Sequence, residues 1–357
     1  MELGILHLRD EPLIAIPPQR LRALVAESKM QNVQLSFLSW HSFDPVAETI
    51  EAHSWDGHQG WHTRIITIPD TVIILGVPLT EERQRLRTWI REHRTVIADR
   101  GINKNKLFHL MSESPLSHYM IPTRQVGKES TADFIKQCLL EWSGAVLKRE
   151  DSNRGIGLVF IRKSGGLWTL NSERQNMQGS LDDIVQLSYA MIAARLRYRN
   201  YIIQPYITSQ AADGRPFDIR MHVQKGRNGH WLLTRGYVRV AEAESLLPNY
   251  SKGGFQGALD AFLDRKVPAM SEQIQQELLS ASIAIAQLQD TISPLPLSEL
   301  GLDFLLGDDN KLWLVETNAF PQSALHELER AEHLIGYARF VAEKRAGMPR
   351  KLAESVA

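Results

Sequence analysis

The chain has 357 residues and a formal net charge of zero at pH 7, because 41 Lys and Arg residues are balanced by 41 Asp and Glu residues. That length suits two domains or one large α/β unit, and the balanced charge excludes binding of nucleic acid through a broadly basic surface. Apolar residues make up 43% of the chain, which is too many for a disordered protein.

The cysteine content and the hydropathy pattern predict a soluble protein of a reducing compartment. Cys138 is the only cysteine, so the chain cannot form an intramolecular disulfide, and we interpret this residue as part of a helical core. The longest apolar stretch, residues 72–79, is interrupted by Gly76 and Pro78 and is far shorter than the ~20 residues that a membrane span needs. The first residues contain neither a basic leader nor a small-residue cleavage site. We therefore expect a cytoplasmic protein without membrane or nucleic-acid partners.

Residues 1–100 predict an N-terminal α/β domain, since short apolar segments alternate with charged helical ones. A helix over residues 81–93 is expected after Thr80, a residue type that caps helix N-termini. The predicted strands of this domain are residues 4–8, 33–38, 64–68 and 71–75.

Three histidines near the middle of this domain have loosely metal-like spacing. They are His53, His58 and His62, in the segment HSWDGHQGWH. Zinc sites usually contain more closely spaced pairs, so we interpret these histidines as members of a polar loop.

Residues 101–345 predict a second, larger unit, followed by a tail at 346–357. A helix near Asn103 would place Leu107, Leu110 and Met111 on one face, and Ser180 begins a capping-box-like sequence for a later helix. The other predicted elements are helices at 131–142, 271–289 and 323–345, strands at 145–148, 158–161, 201–207, 217–223, 231–234 and 237–240, and a hairpin at 302–317.

The hairpin carries two carboxylates on an otherwise apolar sequence. A Gly-Asp-Asp-Asn turn separates its strands, and an even loop would place Asp303 opposite Leu314 and diagonal to Glu316. Side chains alternate along a strand, so Asp303, Glu316 and Asn318 would share one face and suit a hard cation such as Mg²⁺. The alternative is that these are strand-end charges in solvent, and an odd-length loop would break the shared face.

Two further segments carry charges suited to phosphate. In VLKREDSNRGIG, residues 146–157, Lys148 ends a strand and the following loop contains Gly155 and Gly157, which allow backbone N–H groups to approach an anion. A plain surface hairpin would explain that segment as well. In the strand that starts at residue 217, alternation places Asp218, Arg220 and His222 on one face. Arg239 follows on a later strand. Arginines on inner strands are costly unless they meet phosphates or carboxylates, whereas a solvated sheet face is the simpler alternative.

The order of these motifs resembles the ATP-grasp superfamily, and most closely the spore-coat-associated ATP-grasp family of the YheC/YheD type. The resemblance covers residues 100–322. It rests on the segments NKNKLFHLM, IPT, VLKREDSNRGIG, YIIQPYI, FDIRMHVQKGRNGHWLLTRGYVRV, NYSKGG and LGLDFLL followed by LWLVETN.

The resemblance implies an ATP-grasp fold with a pre-ATP-grasp N-terminal domain, in which two α+β subdomains meet at a hinge near residues 204–207 and hold ATP between them. Lys148, Arg220 and Arg239 would act on the transferring phosphate, and Lys104, or the nearby Lys106, would contact nucleotide. Asp303, Glu316 and Asn318 would hold Mg²⁺, as two ions. The remaining nucleotide contacts would come from Ser152, Gly155, Gly157, Gln204, Pro205, Tyr206, Ile207 and Asp218.

The activity implied is that of an ADP-forming carboxylate–amine ligase, which makes an amide bond through an acyl-phosphate. The substrates would be small-molecule, amino-acid or peptide carboxylates and amines, and spore-coat proteins are the partners that the resemblance suggests. Two alternatives remain open, namely a phosphotransferase that uses the same clamp and a non-catalytic scaffold that keeps the fold.

Overall fold

The computed structural model describes residues 1–97, 104–150, 157–173, 175–242, 254–293, 295–321, 323 and 325–346. Within these residues the strands form three sheets, two with six strands and one with five. Helices pack against each sheet, which confirms the predicted mixed α/β class.

The first sheet has a parallel centre and an antiparallel edge, in the order β4-β3-β2-β1-β5-β6. Thr80 caps the third helix through its side-chain oxygen, as predicted, which fixes where that helix begins. The prediction of a polar loop is wrong for His53 and His62, which lie on the paired strands of a hairpin, whereas His58 lies in the turn between them. The elements are β1 (Glu2–His7), α1 (Pro12–Ala15), α2 (Pro18–Met30), β2 (Gln34–Asp44), β3 (Thr49–Asp56), β4 (Gly60–Thr67), β5 (Thr71–Leu75), α3 (Glu81–His93) and β6 (Thr95–Val96).

The second sheet is covered on one face by two helices, α5 (Ala132–Trp142) and α6 (Leu181–Ala193). Ile135 and Ile184 of these helices share a buried core with Leu147 and Ile203 of the sheet, and Cys138 is fully buried there as predicted. The elements are α4 (Lys104–Ser112), a 3-10 helix (Pro115–Tyr119), β7 (Arg124–Val126), α5 (Ala132–Trp142), β8 (Gly144–Arg149), β9 (Val159–Ser164), β10 (Leu167–Ser172), β11 (Asn176–Gly179), α6 (Leu181–Ala193) and β12 (Tyr201–Pro205), and the strand order is β11-β10-β9-β8-β12-β7.

Helix α6 begins where the sequence predicts. The hydroxyl of Ser180 accepts a hydrogen bond from the backbone N–H of Asp183, and the Asp183 carboxylate accepts one from the backbone N–H of Ser180. This capping box satisfies backbone donors that the first helical turn leaves open.

The third sheet is antiparallel throughout, in the order β15-β14-β13-β16-β17. Residues 231–240 form one strand, where the sequence predicted two. The elements are β13 (Phe217–Lys225), β14 (Trp231–Val240), β15 (Phe255–Ala258), α7 (Leu259–Lys266), α8 (Ser271–Ile292), β16 (Glu299–Leu306), β17 (Leu312–Asn318) and α9 (Glu327–Ala346).

Alternation gives the third sheet two chemically different faces. Phe217, Ile219 and Met221 of β13 point into the core that contains α7 and α8. Asp218 and Arg220 therefore point to the other face, which we call the polar face. A buried apolar face fixes the register, so the charged residues cannot change sides without exposing the core.

Several contacts join the sheets to one another, among them a backbone bridge and a pair of packed helices. Met120 forms an isolated parallel bridge with Leu314 of β17, and the chain then enters β7 at the edge of the second sheet. Helix α9 packs on α2, so apolar residues of the first sheet share a core with the last helix.

The proposed boundary near residue 100 falls outside the described residues, and the division into residues 1–100, 101–345 and 346–357 stays a prediction. Across the described part of the chain, no helix is both long and apolar enough to span a membrane.

Candidate functional site

The hairpin of β16 and β17 places Asp303 directly opposite Glu316. The predicted register, with Asp303 opposite Leu314, is wrong, because Leu306 pairs with Leu312 and the loop is therefore odd in length. A register shift between Asp303 and Phe304 adds one residue on β17 and brings Glu316 back to the face of Asp303. The shared face that the metal argument needs is thus restored by a bulge.

Glu316 and Asn318 lie two residues apart on β17, and the amide of Asn318 donates a 2.9 Å hydrogen bond to a Glu316 carboxylate oxygen. Both side chains are half-buried, while Asp303 is buried. Carboxylate and amide oxygens are the ligands that Mg²⁺ prefers, so the donor chemistry suits this ion. Among the described residues there is no group of three or more His, Cys, Asp and Glu side chains arranged for a metal. The magnesium site therefore stays a prediction that depends on two carboxylates and one amide.

Four charged residues form a cluster on the polar face, which we call the strand cluster: Asp218, Arg220, Arg239 and Asp303. Arg239 donates two 2.6 Å hydrogen bonds to the two oxygens of Asp218 and lies 3.0 Å from Asp303 Oδ1. Arg220 binds the same Asp303 through Nε and through a terminal nitrogen, the latter at 2.8 Å. The four formal charges cancel. Each guanidinium is held in place by its hydrogen bonds to carboxylates.

Burial and the arginines act on the two carboxyl groups in different proportions. Burial raises the pKa of Asp218 to about 6, although Arg239 opposes that shift. Burial also acts to raise the pKa of Asp303, but the charges of Arg220 and Arg239 outweigh it and hold this pKa at about 2. Asp303 is therefore the firmly ionised carboxylate of the strand cluster.

Gly301 makes room for this arrangement. A Cβ atom at this position would lie 2.7 Å from Cβ of Pro321 and 3.2 Å from two atoms of the Arg220 side chain. A side chain here would force Pro321 to shift and would crowd the Arg220 side chain.

Of the predicted nucleotide contacts, Lys148, Gln204 and Pro205 lie on the second sheet, whereas Asp218 lies on the third. Ala145 and Leu147 of β8 point toward α5 and α6, so Lys148 points to the opposite face, where its backbone is paired with Ile202. Gln204 shares that face, is buried, and donates a 2.7 Å hydrogen bond to the hydroxyl of Thr123. This bond ties the end of β12 to the segment that bridges the second and third sheets.

The rest of the predicted hinge begins where β12 ends at Pro205. The backbone N–H of Tyr206 donates to the carbonyl of Gly144, and the Arg162 guanidinium carbon lies 5.2 Å from the centre of the Tyr206 ring. Ile207 follows outside any strand.

The glycine loop is described only at its end. Gly157 has a φ of +75°, which glycine adopts without strain, and a Cβ there would meet no atom within 4 Å. Ser152 and Gly155 lie outside the described residues. Lys104 opens α4, but its side chain is likewise outside the described part, and Lys106 is exposed on the same helix.

A second buried ionic cluster was not predicted from the sequence. We call it the bridging cluster: Arg20, Glu299, Glu327 and Arg330. Arg330 donates to both oxygens of Glu299, at 2.6 and 2.7 Å, and at 3.2 Å to Glu327. Arg20 of α2 donates a 2.9 Å bond to Glu327. Alternation from Asp303 would have placed Glu299 on the polar face, but nothing local indicates that its partners come from α2 and α9.

Comparisons with known proteins identify the family of the chain. The model of the YheC/D-like ATP-grasp family matches residues 93–340. The endospore coat-associated protein YheD of Bacillus subtilis (strain 168) is 22% identical over 315 residues, which cover 82% of this chain and 67% of YheD. YheC of the same strain, also named as endospore coat-associated, is 22% identical over 301 residues, covering 80% of this chain and 81% of YheC.

Among solved structures, D-alanyl-alanine synthetase A from Vibrio cholerae O1 biovar eltor str. N16961 has a TM-score of 0.51 at 14% identity, covering 96% of this chain and 97% of the synthetase. At that identity the likeness concerns the fold alone. The family model spans well over half of the sequence, from the end of α3 through most of α9. The chain therefore belongs to the YheC/D-like ATP-grasp family.

Proposed function

We propose that this protein is an ADP-forming ligase that joins a carboxylate to an amine at the expense of ATP. The observation that carries the proposal is the strand cluster beside Glu316 and Asn318. The guanidiniums of Arg220 and Arg239 lie within 3.0 Å of the Asp303 carboxylate. The side-chain oxygens of Glu316 and Asn318 lie next to them. A set of fixed cations and hard oxygen donors is what transfer of a phosphoryl group requires.

Each guanidinium would act as an electrostatic stabiliser. Arg220 and Arg239 stay charged at any working pH, and their carboxylate partners prevent them from swinging away when substrate binds. Aimed at the transferring phosphoryl group and at the acyl-phosphate that results, they would stabilise the charge that develops on the phosphate oxygens.

The other predicted residues would bind and orient the nucleotide. Lys148 would contact phosphate oxygens from the open face of the second sheet, and the backbone around Gln204 and Tyr206 would read the adenine. Glu316 and Asn318 would hold Mg²⁺ together with Asp303, and the bound ion would supply charge neutralisation between the phosphates.

The substrates that we propose are an amino-acid or peptide carboxylate and an amine. Support comes from the names of structural neighbours, among them the D-alanyl-alanine synthetase described above. The coat-associated names of YheC and YheD support a location at the endospore, with coat proteins as candidate partners.

The first experiment measures Mg²⁺-dependent ATP binding by calorimetry for the unmodified chain, for Glu316→Ala and for the control Glu329→Ala. Glu329 is exposed on α9, so its variant should bind as the unmodified chain does. We expect metal-dependent binding that Glu316→Ala loses. Binding that survives unchanged in Glu316→Ala would reject the site, and no binding by any of the three would favour a scaffold.

The second experiment identifies the reaction by trapping with hydroxylamine. The protein is incubated with Mg²⁺, ATP, hydroxylamine and each amino acid in turn. An acyl-phosphate yields a hydroxamate together with ADP, whereas a phosphotransferase yields ADP and a stable phosphoester. Hydroxamate formation would support the ligase, and a phosphoester without hydroxamate would replace it by the phosphotransferase.

A further inference from the structure

A chain of four hydrogen-bonded side chains runs along the polar face next to the strand cluster. It links Ser323, His326, His222 and Glu299. The hydroxyl of Ser323 lies 3.1 Å from Nδ1 of His326, Nε2 of His326 lies 2.8 Å from Nδ1 of His222, and Nε2 of His222 lies 3.3 Å from a Glu299 oxygen. His222, Glu299 and His326 are buried, with 1%, 3% and 3% of their surfaces exposed.

The Glu299 end of this chain fixes the direction of every bond in it. Glu299 accepts two short bonds from Arg330 and is held ionised, so it can only accept from His222. Nε2 of His222 therefore carries the proton, and its Nδ1 must accept from Nε2 of His326. Nδ1 of His326 is then also an acceptor, which obliges the Ser323 hydroxyl to donate to it.

This reading requires both imidazoles to be neutral, and their surroundings favour that state. Burial lowers the pKa of His326 to about 3, with further lowering by His222 and Arg330. Burial likewise lowers the pKa of His222, against the opposing effect of Glu299. Neither ring therefore has a second proton with which to reverse the chain.

The Ser323 end of the chain lies beside the strand cluster. The segment after β17 passes over Gly301. A Cβ atom on Gly301 would lie 2.7 Å from Pro321 and 3.2 Å from the Arg220 side chain, so Pro321 is close to Arg220. On the neighbouring strand, Tyr237 is paired with Arg220, and its ring centre is 5.8 Å from that of His326. Ser323 itself is half-buried.

We propose that Ser323 is a specificity-determining residue whose oxygen accepts a hydrogen bond from an N–H of the amine substrate. Its only proton is committed to His326, so the oxygen offers lone pairs alone to a ligand. The site therefore favours an ammonium or amine group and disfavours a carboxylate at that point. His222 and His326 are positioning residues that act through Ser323. The inference rests on the proposed ligase function and specifies which end of the second substrate is recognised.

The first test reads the tautomers directly, by nitrogen NMR of the full chain labelled at histidine. We expect unprotonated Nδ1 and protonated Nε2 for both His222 and His326, and a displaced His326 Nδ1 resonance in Ser323→Ala that Ser323→Thr restores. Because Glu299 sets the tautomers, Ser323→Ala should leave them unchanged and shift only the resonance of the nitrogen that loses its hydrogen bond. A protonated Nδ1 on either ring, or an imidazolium at neutral pH, would overturn the proposal.

The second test uses methylamine as the probe, with acetate as its counterpart, and follows the same His326 resonance. We expect methylamine to shift this resonance in a saturable way. The affinity for methylamine should be at least about tenfold lower in Ser323→Ala and should be retained in Ser323→Thr, and acetate should cause no shift. Equal methylamine affinity in Ser323→Ala, or a response to acetate, would overturn the proposal. Loss of ATP binding in calorimetry would instead reject the ligase function and leave these readings as they stand.

Discussion

The strand cluster and the bridging cluster have the same formal composition, two carboxylates and two guanidiniums, yet they differ in what they connect. The strand cluster lies entirely within one sheet, and its Asp218–Arg239 pair keeps about one seventh of its side-chain surface exposed, 14% and 15%. The bridging cluster joins α2, β16 and α9, and its side chains are at most 8% exposed. The Asp218–Arg239 pair is therefore partly accessible, whereas Arg220 and Asp303, at 8% and 6%, are as buried as the bridging cluster.

This difference indicates two uses of buried charge. Desolvating ions is costly, so a buried ionic cluster that could be replaced by apolar residues suggests a requirement other than stability. In the strand cluster that requirement would be a phosphate site. In the bridging cluster it is orientation, because Arg20 and Arg330 reach Glu299 and Glu327 only when α2 and α9 are correctly placed.

The largest expected effect is on the bridging cluster, in Glu299→Gln. Loss of this charge leaves Arg20 and Arg330 short of a buried counter-ion, and we expect the free energy of unfolding to fall by about 3–5 kcal/mol. Urea unfolding at pH 7 measures it. The control Glu329→Gln, on the exposed side of α9, should change stability by less than about 0.5 kcal/mol. A near-neutral Glu299→Gln would show that the cluster does not hold the helices.

A smaller, pH-dependent effect is expected for the strand cluster in Arg239→Leu. Asp218 loses its main partner, but its pKa is already raised to about 6, so it can take up a proton and limit the cost to about 3 kcal/mol at pH 8. A carboxyl group whose pKa is raised in the folded state stabilises the fold while it is protonated. That stabilisation is lost as the pH rises through the raised pKa. The deficit measured by urea unfolding should therefore shrink from pH 8 to pH 5.

The control for this variant is Arg215→Leu, which removes an exposed pair with Asp213. We expect it to show a small deficit at both pH values. A deficit in Arg239→Leu that does not depend on pH would mean that Asp218 stays ionised in the variant.

The next effect concerns Gly301→Ala, which tests the strand cluster without removing a charge. The added methyl group would meet Pro321 at 2.7 Å and Arg220 at 3.2 Å, and we expect a loss of about 1–3 kcal/mol in stability together with weaker ATP binding. Gly166→Ala is the matched control, because no atom lies within 4 Å of its added Cβ. Unchanged binding in Gly301→Ala would mean that Arg220 does not contact nucleotide.

The smallest effect is a change in slope in His326→Asn. The pKa of His326 is lowered to about 3, so below pH 6.5 the unfolded chain binds a proton that the folded chain does not. Stability is therefore complete above pH 6.5 and falls as the pH drops, by up to about 1.4 kcal/mol per pH unit for this group. Unfolding measured from pH 7.5 to 5 should show a shallower slope in the variant, whereas His58→Asn, at an exposed turn, should keep the original slope.

The hairpin shows how far the sequence leads and where it stops. Its strands, its turn and the common face of Asp303 and Glu316 follow from alternation and turn residues. The register does not, because neither the odd length of the loop nor the bulge in the pairing of β16 with β17 is specified by the turn residues. The odd loop and the bulge each shift the pairing by one residue, and together they restore the predicted common face. The candidate site was therefore predicted for a reason that was partly wrong.

The first sheet gives a second example. Thr80 and the helix after it were predicted from local capping chemistry, and the structure places them as expected. Strand β3 was overlooked, since its polar and aromatic residues resemble a loop when its pairing with β2 and β4 is unknown. Membership of a strand is decided there by its neighbours more than by its own composition.

By itself the sequence determined the alternating faces of the strands, the helix caps and the order of motifs that places the chain in its family. These depend on interactions between residues close in the chain, and such interactions repeat wherever the pattern occurs. The tertiary structure alone decided which charges meet, as in the bond between Arg20 and Glu327, which are 307 residues apart. A buried ion pair forms only where packing has already excluded water and aligned both partners, so its energy cannot be read from either residue in isolation.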